Sequence, residues 1–389
     1  MRLLEHSGKD IMKQDGFSIP KSVLVSTVDD LNIAKNVLGF PMVMKVQVLS
    51  GGRGKLGGVI VANTEQEAIQ WLKEMLYSSF SGQLVTSILC EEVIPFYNEY
   101  YVSFSLDATR REILLLFSIS GGVDVEEQTD GENLHRLTIS IEQDLNDEKL
   151  NGFLLSSNLP DNRASKLTAV IKKLYKVFRT YDCTLLEINP IVWTTSNNLG
   201  ILDVHFYVDD NAVPFHEVTK EIVSSNRELY RQTWFKLHYG FDFVELNREG
   251  TVALLSTGAG LSMAIVDEMK ERQIEPINFA DVRSGQIKGD PARLVVILEE
   301  FKKFRNLEYI FVSIFAGITD LAEFAVVLLK AKEQVHFNKD VKWILRLEGN
   351  NYAKAKRIIE EQGIFVTNSL EQSLRVLLGG ESKFECTNP

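Results

Sequence analysis

Thiols are scarce in this chain: Cys90, Cys183 and Cys386 are its three cysteines, unpaired in number and without metal-ligand spacing. A disulfide scaffold and a cysteine-built zinc cluster are therefore excluded, and the thiols fit a reducing compartment. No apolar run of about 18 residues occurs, and Met1-Arg2-Leu3-Leu4-Glu5-His6 lacks the apolar core of a signal sequence, so a cytoplasmic chain without a membrane partner is expected. Positive charge is in deficit, with 42 Lys and Arg against 53 Asp and Glu and a net charge of -11. A general nucleic-acid binder is excluded, and any phosphate site must be a local basic pocket in an acidic surface. Histidines number six, namely His6, His135, His205, His216, His238 and His336. None lies in a glycine-rich turn or pairs with Ser or Cys in a nucleophile pattern. A covalent intermediate would need its nucleophile from another chain.

What the sequence does contain is the stretch Lys45 to Val59, an apolar strand (Pro41 to Val48) carrying a lysine and running into Gly51, Gly52, Gly54, Gly57 and Gly58, with Arg53 and Lys55 among them. Glycines let a backbone wrap a polyanion, and three cations stand where a triphosphate would lie. No Gly-Lys-Ser/Thr opens a helix, so this is not a Walker A loop; Gly57 to Val61 reads as the second strand of a hairpin. Taken alone, the stretch is either a phosphate cradle or a solvated surface hairpin.

At 389 residues, 45% hydrophobic and 24% charged, the chain suits two or three soluble domains. The first part mixes α and β: a helix at Leu31 to Leu38 with Thr27 as its cap, a capping box at Thr64 to Glu67 before a helix, strands at Ser87 to Val93, Tyr100 to Leu106 and Glu112 to Ser118, and a long helix over about Ser165 to Tyr181. A hairpin follows, Thr184 to Trp193 with Leu199 to His205. Near residue 240 short apolar strands begin to alternate with helices: Val252 to Leu255, Ile277 to Ala280, Tyr309 to Ile314 and Trp343 to Leu347, with helices after Gly260 and near Asp290-Pro291, Asp320 and Asn351. That grammar predicts a parallel sheet covered on both faces. The expected division is 1–240 for a nucleotide domain and 241–389 for a doubly wound domain, joined by the charged segment Phe215 to Glu245.

Two further constellations carry chemistry. The 184–205 hairpin sets Asn189 beside Asp203, two oxygen ligands suited to a hard cation such as Mg2+, with Glu187 on the same strand face as Asn189; a hairpin end with capping polar groups is the bland alternative. The junction Gly258-Ala259-Gly260 is either an anion site at a helix start or a plain strand-to-helix turn, and a similar junction recurs at Phe315 to Thr319.

These residues, together with Leu186-Glu187-Ile188-Asn189-Pro190, Asp209 to Ala212, Gly258-Ala259-Gly260-Leu261 and Arg346-Leu347-Glu348-Gly349-Asn350-Asn351, resemble the succinyl-CoA synthetase β-subunit family over essentially the full length. The resemblance implies an ATP-grasp domain followed by a flavodoxin-like CoA-ligase domain. It implies a subunit of an ADP-forming acid–CoA ligase that binds ATP or GTP and Mg2+. The implied partner is an α-type subunit that holds most of the CoA and carries a phosphohistidine. By position, Lys45, Gly52, Arg53 and Gly54 would hold phosphates; Glu91, Val93 and Ile94 would follow the adenine, with Glu99 at the ribose. Asn189 and Asp203 would bind the metal, Glu187 would approach the partner's histidine, and Thr257, Gly317, Ile318 and Thr319 would bracket the carboxylic acid. The chain departs from the family pattern at Leu49 (His), His205 (Lys), Thr257 (Asn), Arg283-Ser284 (two glycines) and Ala316 (Gly). Because the metal and phosphate residues are intact while the acid-side residues have drifted, malate, citrate or another polycarboxylate is one alternative substrate, and Arg283 a candidate carboxylate partner. A non-catalytic, nucleotide-binding regulatory paralogue is the other alternative.

Overall fold

The computed structural model describes residues 1–122, 134–157, 159–283, 289–317, 319–337 and 340–379. It divides into two compact units, Met1–Ile222 and Val223–Pro389.

The first unit runs α1 (Glu5–Gln14), β1 (Ser22–Val25), α2 (Leu31–Leu38), β2 (Met42–Val46), β3 (Val59–Ala62), α3 (Glu65–Met75), β4 (Ser79–Phe80), β5 (Gln83–Leu84) and β6 (Ile88–Glu92). It continues through β7 (Phe96–Asp107), β8 (Glu112–Ser118), β9 (Leu134–Ser140), α4 (Asp147–Leu155), α5 (Asp161–Thr180), β10 (Cys183–Thr194), β11 (Leu199–Ile201) and β12 (Val204–Val208). Its two main antiparallel sheets are ordered β1-β6-β2-β3 and β11-β10-β7-β8-β9, with β12 also paired to β10, while β4 and β5 pair as a separate two-stranded ribbon.

In the smaller sheet, alternation sends Met42, Met44, Val46, Ile88 and Cys90 to one face, where they pack on Leu31, Ala34, Ala68 and Leu72 of α2 and α3. Each such fully buried aliphatic side chain contributes about 1.5–3 kcal/mol. Burial pushes the Cys90 thiol up to about 12. Thr64 stands at the start of α3 as expected, whereas the N-cap position of α2 is Asp30, which makes no side-chain cap bond, and Thr27 bonds one turn earlier. Thr27 Oγ1 accepts from the Asp30 N–H at 3.3 Å while Asp30 accepts back from Thr27 N at 2.8 Å, and Thr64 accepts from Glu67 N. On the larger sheet Phe104 meets Phe178 of α5 at a ring separation of 5.9 Å, and Phe117 meets Phe153 of α4 at 6.5 Å.

The first residues extend this larger sheet: Leu3 N donates to Phe206 O and Val208 N to Met1 O, both at 2.8 Å. That contact lays α1 against β12. Gly8 makes the approach possible, since a Cβ there would stand 3.2 Å from Phe206 Cβ.

The second unit contains α7 (Arg231–Tyr239), β13 (Asp242–Glu245), β14 (Val252–Ser256), α8 (Ala259–Glu271), β15 (Pro276–Asp281), α9 (Ala292–Lys302), β16 (Tyr309–Ala316), α10 (Leu321–Gln334), β17 (Lys342–Gly349), α11 (Tyr352–Glu360), β18 (Phe365–Thr367) and α12 (Leu370–Leu377). Its sheet is ordered β13-β15-β14-β16-β17-β18, parallel from β15 to β18, with β13 antiparallel at the edge. Without β13 this is the flavodoxin-like strand order, whose ligand edge is the reversal between the first and third parallel strands, here β14 and β16. Along β14, Val252 and Leu254 face α8 and α12, while Ala253 and Leu255 face the helices α7, α9, α10 and α11. The doubly wound expectation is met.

The segment Phe215 to Glu245 is not a plain joint. It holds α6 (Glu217–Ser225), inside which the two units divide, then α7 and β13. Its charges hid this order: Arg227 and Arg231, with Lys303 from the end of α9, surround the buried carboxylate of Glu300, and Arg231 also reaches Glu245. Among the described residues, no helix is long and apolar enough to cross a membrane.

Candidate active site

A cleft of about 410 Å3 in the first unit is lined by residues of β2, β3, β6, the glycine-rich loop and the β10–β12 region. It gathers Lys45, Gly52, Arg53, Gly54, Glu91, Val93, Ile94, Asn189 and Asp203, which lie far apart in sequence. Lys55 and His205 line it too, and Val43, Val61 and Phe96 give it an apolar wall.

The hairpin register explains the placement. Lys45 pairs with Val59 across β2 and β3, and Glu91 pairs with Val43 across β6 and β2. Two residues apart in register, Lys45 and Glu91 rise from one sheet face, leaving Met44 and Cys90 for the core. The strand before the loop ends at Val46, and Gln47 N turns to Ser87 O at 3.1 Å. Leu56, Gly57 and Gly58 bond within the loop, to Gly52 O, Gly54 O and Arg53 O.

At the opposite wall, the expected hairpin is interrupted between β11 and β12. Ile191 pairs with Ile201 and Ile188 with Val204, so Asn189-Pro190 faces Leu202-Asp203 across the gap. Asn189 N donates to Asp203 O at 3.4 Å, and Leu202 N to Pro190 O at 3.1 Å. Asn189 also grips the Gly122 backbone, its Oδ1 accepting from N at 2.7 Å and its Nδ2 donating to O at 3.0 Å. The carboxylate of Asp203 takes a forked pair from Arg53 Nη2, at 3.0 and 3.2 Å.

Electrostatically the floor of the cleft is a buried lattice of alternating charges. Glu5 contacts Lys9 at 2.7 Å, Lys45 at 2.8 Å and Arg53 at 2.7 Å; Glu91 contacts Lys9 at 2.6 Å and Lys45 at 2.8 Å. Lys9 and Lys45 each also donate to Leu202 O at 2.7 Å. Burial alone would raise the Glu5 carboxyl, but Lys45, Lys9 and Arg53 together hold it well below its usual range. The same pairing overcomes burial at Lys45 and Arg53 and raises both. Glu5 and Lys9 escaped sequence reasoning. Four residues apart on a helix, they read as an ordinary surface pair, and only the docking of α1 on β12 buries them.

Glu187 sits on β10 opposite His205 and is 8% exposed. His205 Nδ1 lies 2.8 Å from Glu187 Oε1, and Tyr101 donates to Oε2 at 3.2 Å. Burial works against charge on His205, yet the bond to Glu187 and the charges of Asp203 and Glu187 outweigh it, so its pKa is raised. Glu99 lies on β7 in register with Val192, its carboxylate beside Gly122.

The acid-side candidates belong to the second unit. Thr257 closes β14 and is bound to β16 through Phe315, its Oγ1 donating to Phe315 O and accepting from Phe315 N, both at 3.3 Å. Gly317 and Thr319 follow β16 on the same edge; Ile318 lies outside the described residues, as does Ser284. Gly317 O accepts from Asn350 Nδ2 at 2.8 Å. At the Gly258 helix start, the Gly258 N–H donates to Asp281 at 2.8 Å, so that donor serves the turn rather than an anion. Arg283, raised above as a carboxylate partner, instead pairs with Asp242 at 3.2 Å and is 47% exposed.

The sequence profile of the ATP-grasp domain matches residues 2–193 and that of the CoA-ligase domain residues 255–377. A curated relative, the succinate–CoA ligase [ADP-forming] subunit beta of Methanocaldococcus jannaschii, is 33% identical over 97% of this chain and 99% of its own length. The chain belongs to the succinate–CoA ligase β-subunit family. The counterpart from Ignicoccus hospitalis is 32% identical over 96% of this chain and 97% of its own. Among solved structures, ATP citrate lyase from Methanothrix soehngenii, in complex with citrate and coenzyme A, superposes with a TM-score of 0.75 at 18% identity, covering 97% of this chain and 99% of that one. That likeness speaks to fold alone.

For a β subunit of this family a divalent cation is implied, and the residues present fit one. Asn189 and Asp203 offer neutral and anionic oxygen to one cleft, a set suited to Mg2+, which keeps several waters and takes phosphate oxygens as ligands. Among the described residues there is no cluster of three or more His, Cys, Asp or Glu that could hold a metal unaided.

Proposed function

We propose that this chain is the nucleotide-binding subunit of an ADP-forming acid–CoA ligase of the succinate type, in which ATP, a carboxylic acid and CoA give acyl-CoA, ADP and phosphate. The observation that carries the reading is the single cleft that brings Lys45, Arg53, Asn189 and Asp203 together beside an apolar wall. The nucleobase would lie against Val43, Val61, Val93, Ile94 and Phe96, with Glu91 behind it and Glu99 toward the ribose. Lys45 and Arg53 would meet the phosphates, and the backbone of Gly52 and Gly54 would close over them. Asn189 and Asp203 would hold Mg2+. Bound there, the ion would supply neutralisation of the charge on the transferred phosphoryl group.

The chain's own contribution is positioning and preorganised charge, since phosphoryl transfer asks little covalent chemistry of the protein. Arg53 is shared between Glu5 and Asp203, so a triphosphate and its cation would take over the Arg53–Asp203 contact while Glu5 keeps its own. Glu187, anchored by Tyr101 and His205, would approach the phosphate-carrying histidine of an α-type partner, which also holds most of the CoA. Thr257, Gly317, Ile318 and Thr319 would bracket the acid.

The test is co-production with an α-type CoA-binding subunit and a CoA-thioester assay over a panel of carboxylic acids. Mg-ATP-dependent acyl-CoA formation, abolished by Asp203→Ala, is expected. Undiminished turnover in that variant, or no nucleotide dependence in the parent, would refute the assignment.

A further inference from the structure

Behind the cations that face the cleft stands a pair that does not line it. Lys45, Arg53 and Glu91 line the cleft, whereas Glu5 and Lys9 lie in the layer beneath, each 3% exposed or less. The two oxygens of Glu5 divide the work: Oε1 contacts both Lys45 and Lys9, and Oε2 contacts Arg53. One carboxylate thus spans the ammonium of a strand and the guanidinium of a glycine-rich loop. Arg53 is further oriented by Val46 O, which accepts from Nη1 at 3.2 Å. Lys9 stands between Glu5 and Glu91 as a shared counter-charge, contacting each and donating to Leu202 O. The lattice is balanced: Lys9, Lys45 and Arg53 against Glu5, Glu91 and Asp203.

We propose that Glu5 and Lys9 of α1 are positioning residues for the nucleotide phosphates. Glu5 fixes Lys45 and Arg53 at one spacing, and Lys9 supplies the buried counter-charge that lets Glu5 do so. This rests on the nucleotide reading of the cleft. A long lysine and a loop arginine each lose considerable freedom on meeting a phosphate, and a shared buried carboxylate removes that loss before the ligand arrives. The consequence is specific to phosphate. A base or a nucleoside, which touches the apolar wall and not these cations, gains nothing from the pair.

Calorimetric titration of the full chain with Mg-ATP and, separately, with adenosine tests this. The charge-balanced double variant Glu5→Gln/Lys9→Gln removes one charge of each sign and keeps the lattice neutral, where Glu5→Gln alone leaves three buried cations against two acids. In the double variant Mg-ATP should bind about tenfold more weakly or worse, while adenosine stays within about twofold of the parent. Replacing Lys35, an exposed partner of Glu65 far from the cleft, by Gln should alter neither. Equal losses for both ligands, unchanged Mg-ATP affinity, or loss of the folded state in the double variant would each overturn the positioning role. A parent chain that fails to bind Mg-ATP at all would instead bring down the nucleotide reading, and this inference with it.

Discussion

Replacing Lys45 by methionine isolates the energetic weight of the buried lattice, because the methionine keeps most of the side-chain volume and removes only the charge. Lys45 is 8% exposed and contacts Glu5 and Glu91 at 2.8 Å each. Its loss leaves Glu5, Glu91 and Asp203 facing only Lys9 and Arg53. Removing one partner of a buried ion pair costs about 3–5 kcal/mol, since the remaining charge stays desolvated. Leu202 O keeps its bond from Lys9 at 2.7 Å, which argues for the lower end, about 3 kcal/mol. For a unit of this size each kcal/mol lowers Tm by about 2–4 °C, so a fall of about 6–12 °C is expected. Scanning calorimetry of the full chain would read it on the transition that Mg-ATP raises in the parent. A second substitution, Glu91→Gln, restores the balance and should recover at least half of the fall. A shift below about 2 °C, or a double variant less stable than the single one, would refute the reasoning.

Three further outcomes follow from particular residues. Glu5 is held well below its usual pKa, so its stabilisation is fully present above the unfolded value of 4.5 and is lost as pH falls through the folded one; the first unit should melt at progressively lower temperature below about pH 4.5, and Glu5→Gln should flatten that slope. His205 shifts the other way: the metal-free chain should show its imidazole titrating above 6.5 by NMR, with its contribution present below 6.5 and lost as pH rises through the folded value, and a midpoint at or below 6.5 would contradict the Glu187 pairing. In the second unit, Gly349→Ala would set a Cβ 2.0 Å from Ala316 O at φ 140° and should leave that unit unfolded or insoluble, whereas Gly152→Ala, in open space on α4, should be neutral or stabilising by up to about 1 kcal/mol on chemical denaturation.

Sequence alone settled the local grammar and the order of the parts. The strands at β2 and β6, the capping box at Thr64, and the strand-then-helix rhythm from Val252 onward all follow from local sterics and hydrogen bonding. They needed no tertiary knowledge to be read. The adjacency of Asn189 and Asp203 was legible for the same reason, since two strands joined by a short turn have few registers open to them. The break that separates β11 from β12 at Leu202-Asp203 was not, because it depends on pairing with β10.

Tertiary structure decided everything that depends on which surface meets which. Glu5 and Lys9 look solvated until Met1 to Leu3 pair with β12 and turn α1 inward. Arg283 looks poised for a ligand until β13, unseen in the charged segment before it, presents Asp242. Charge in a sequence carries no mark of burial, and a buried ion pair is specified by residues as distant as Glu5 and Asp203, which only the folded chain brings to the same guanidinium.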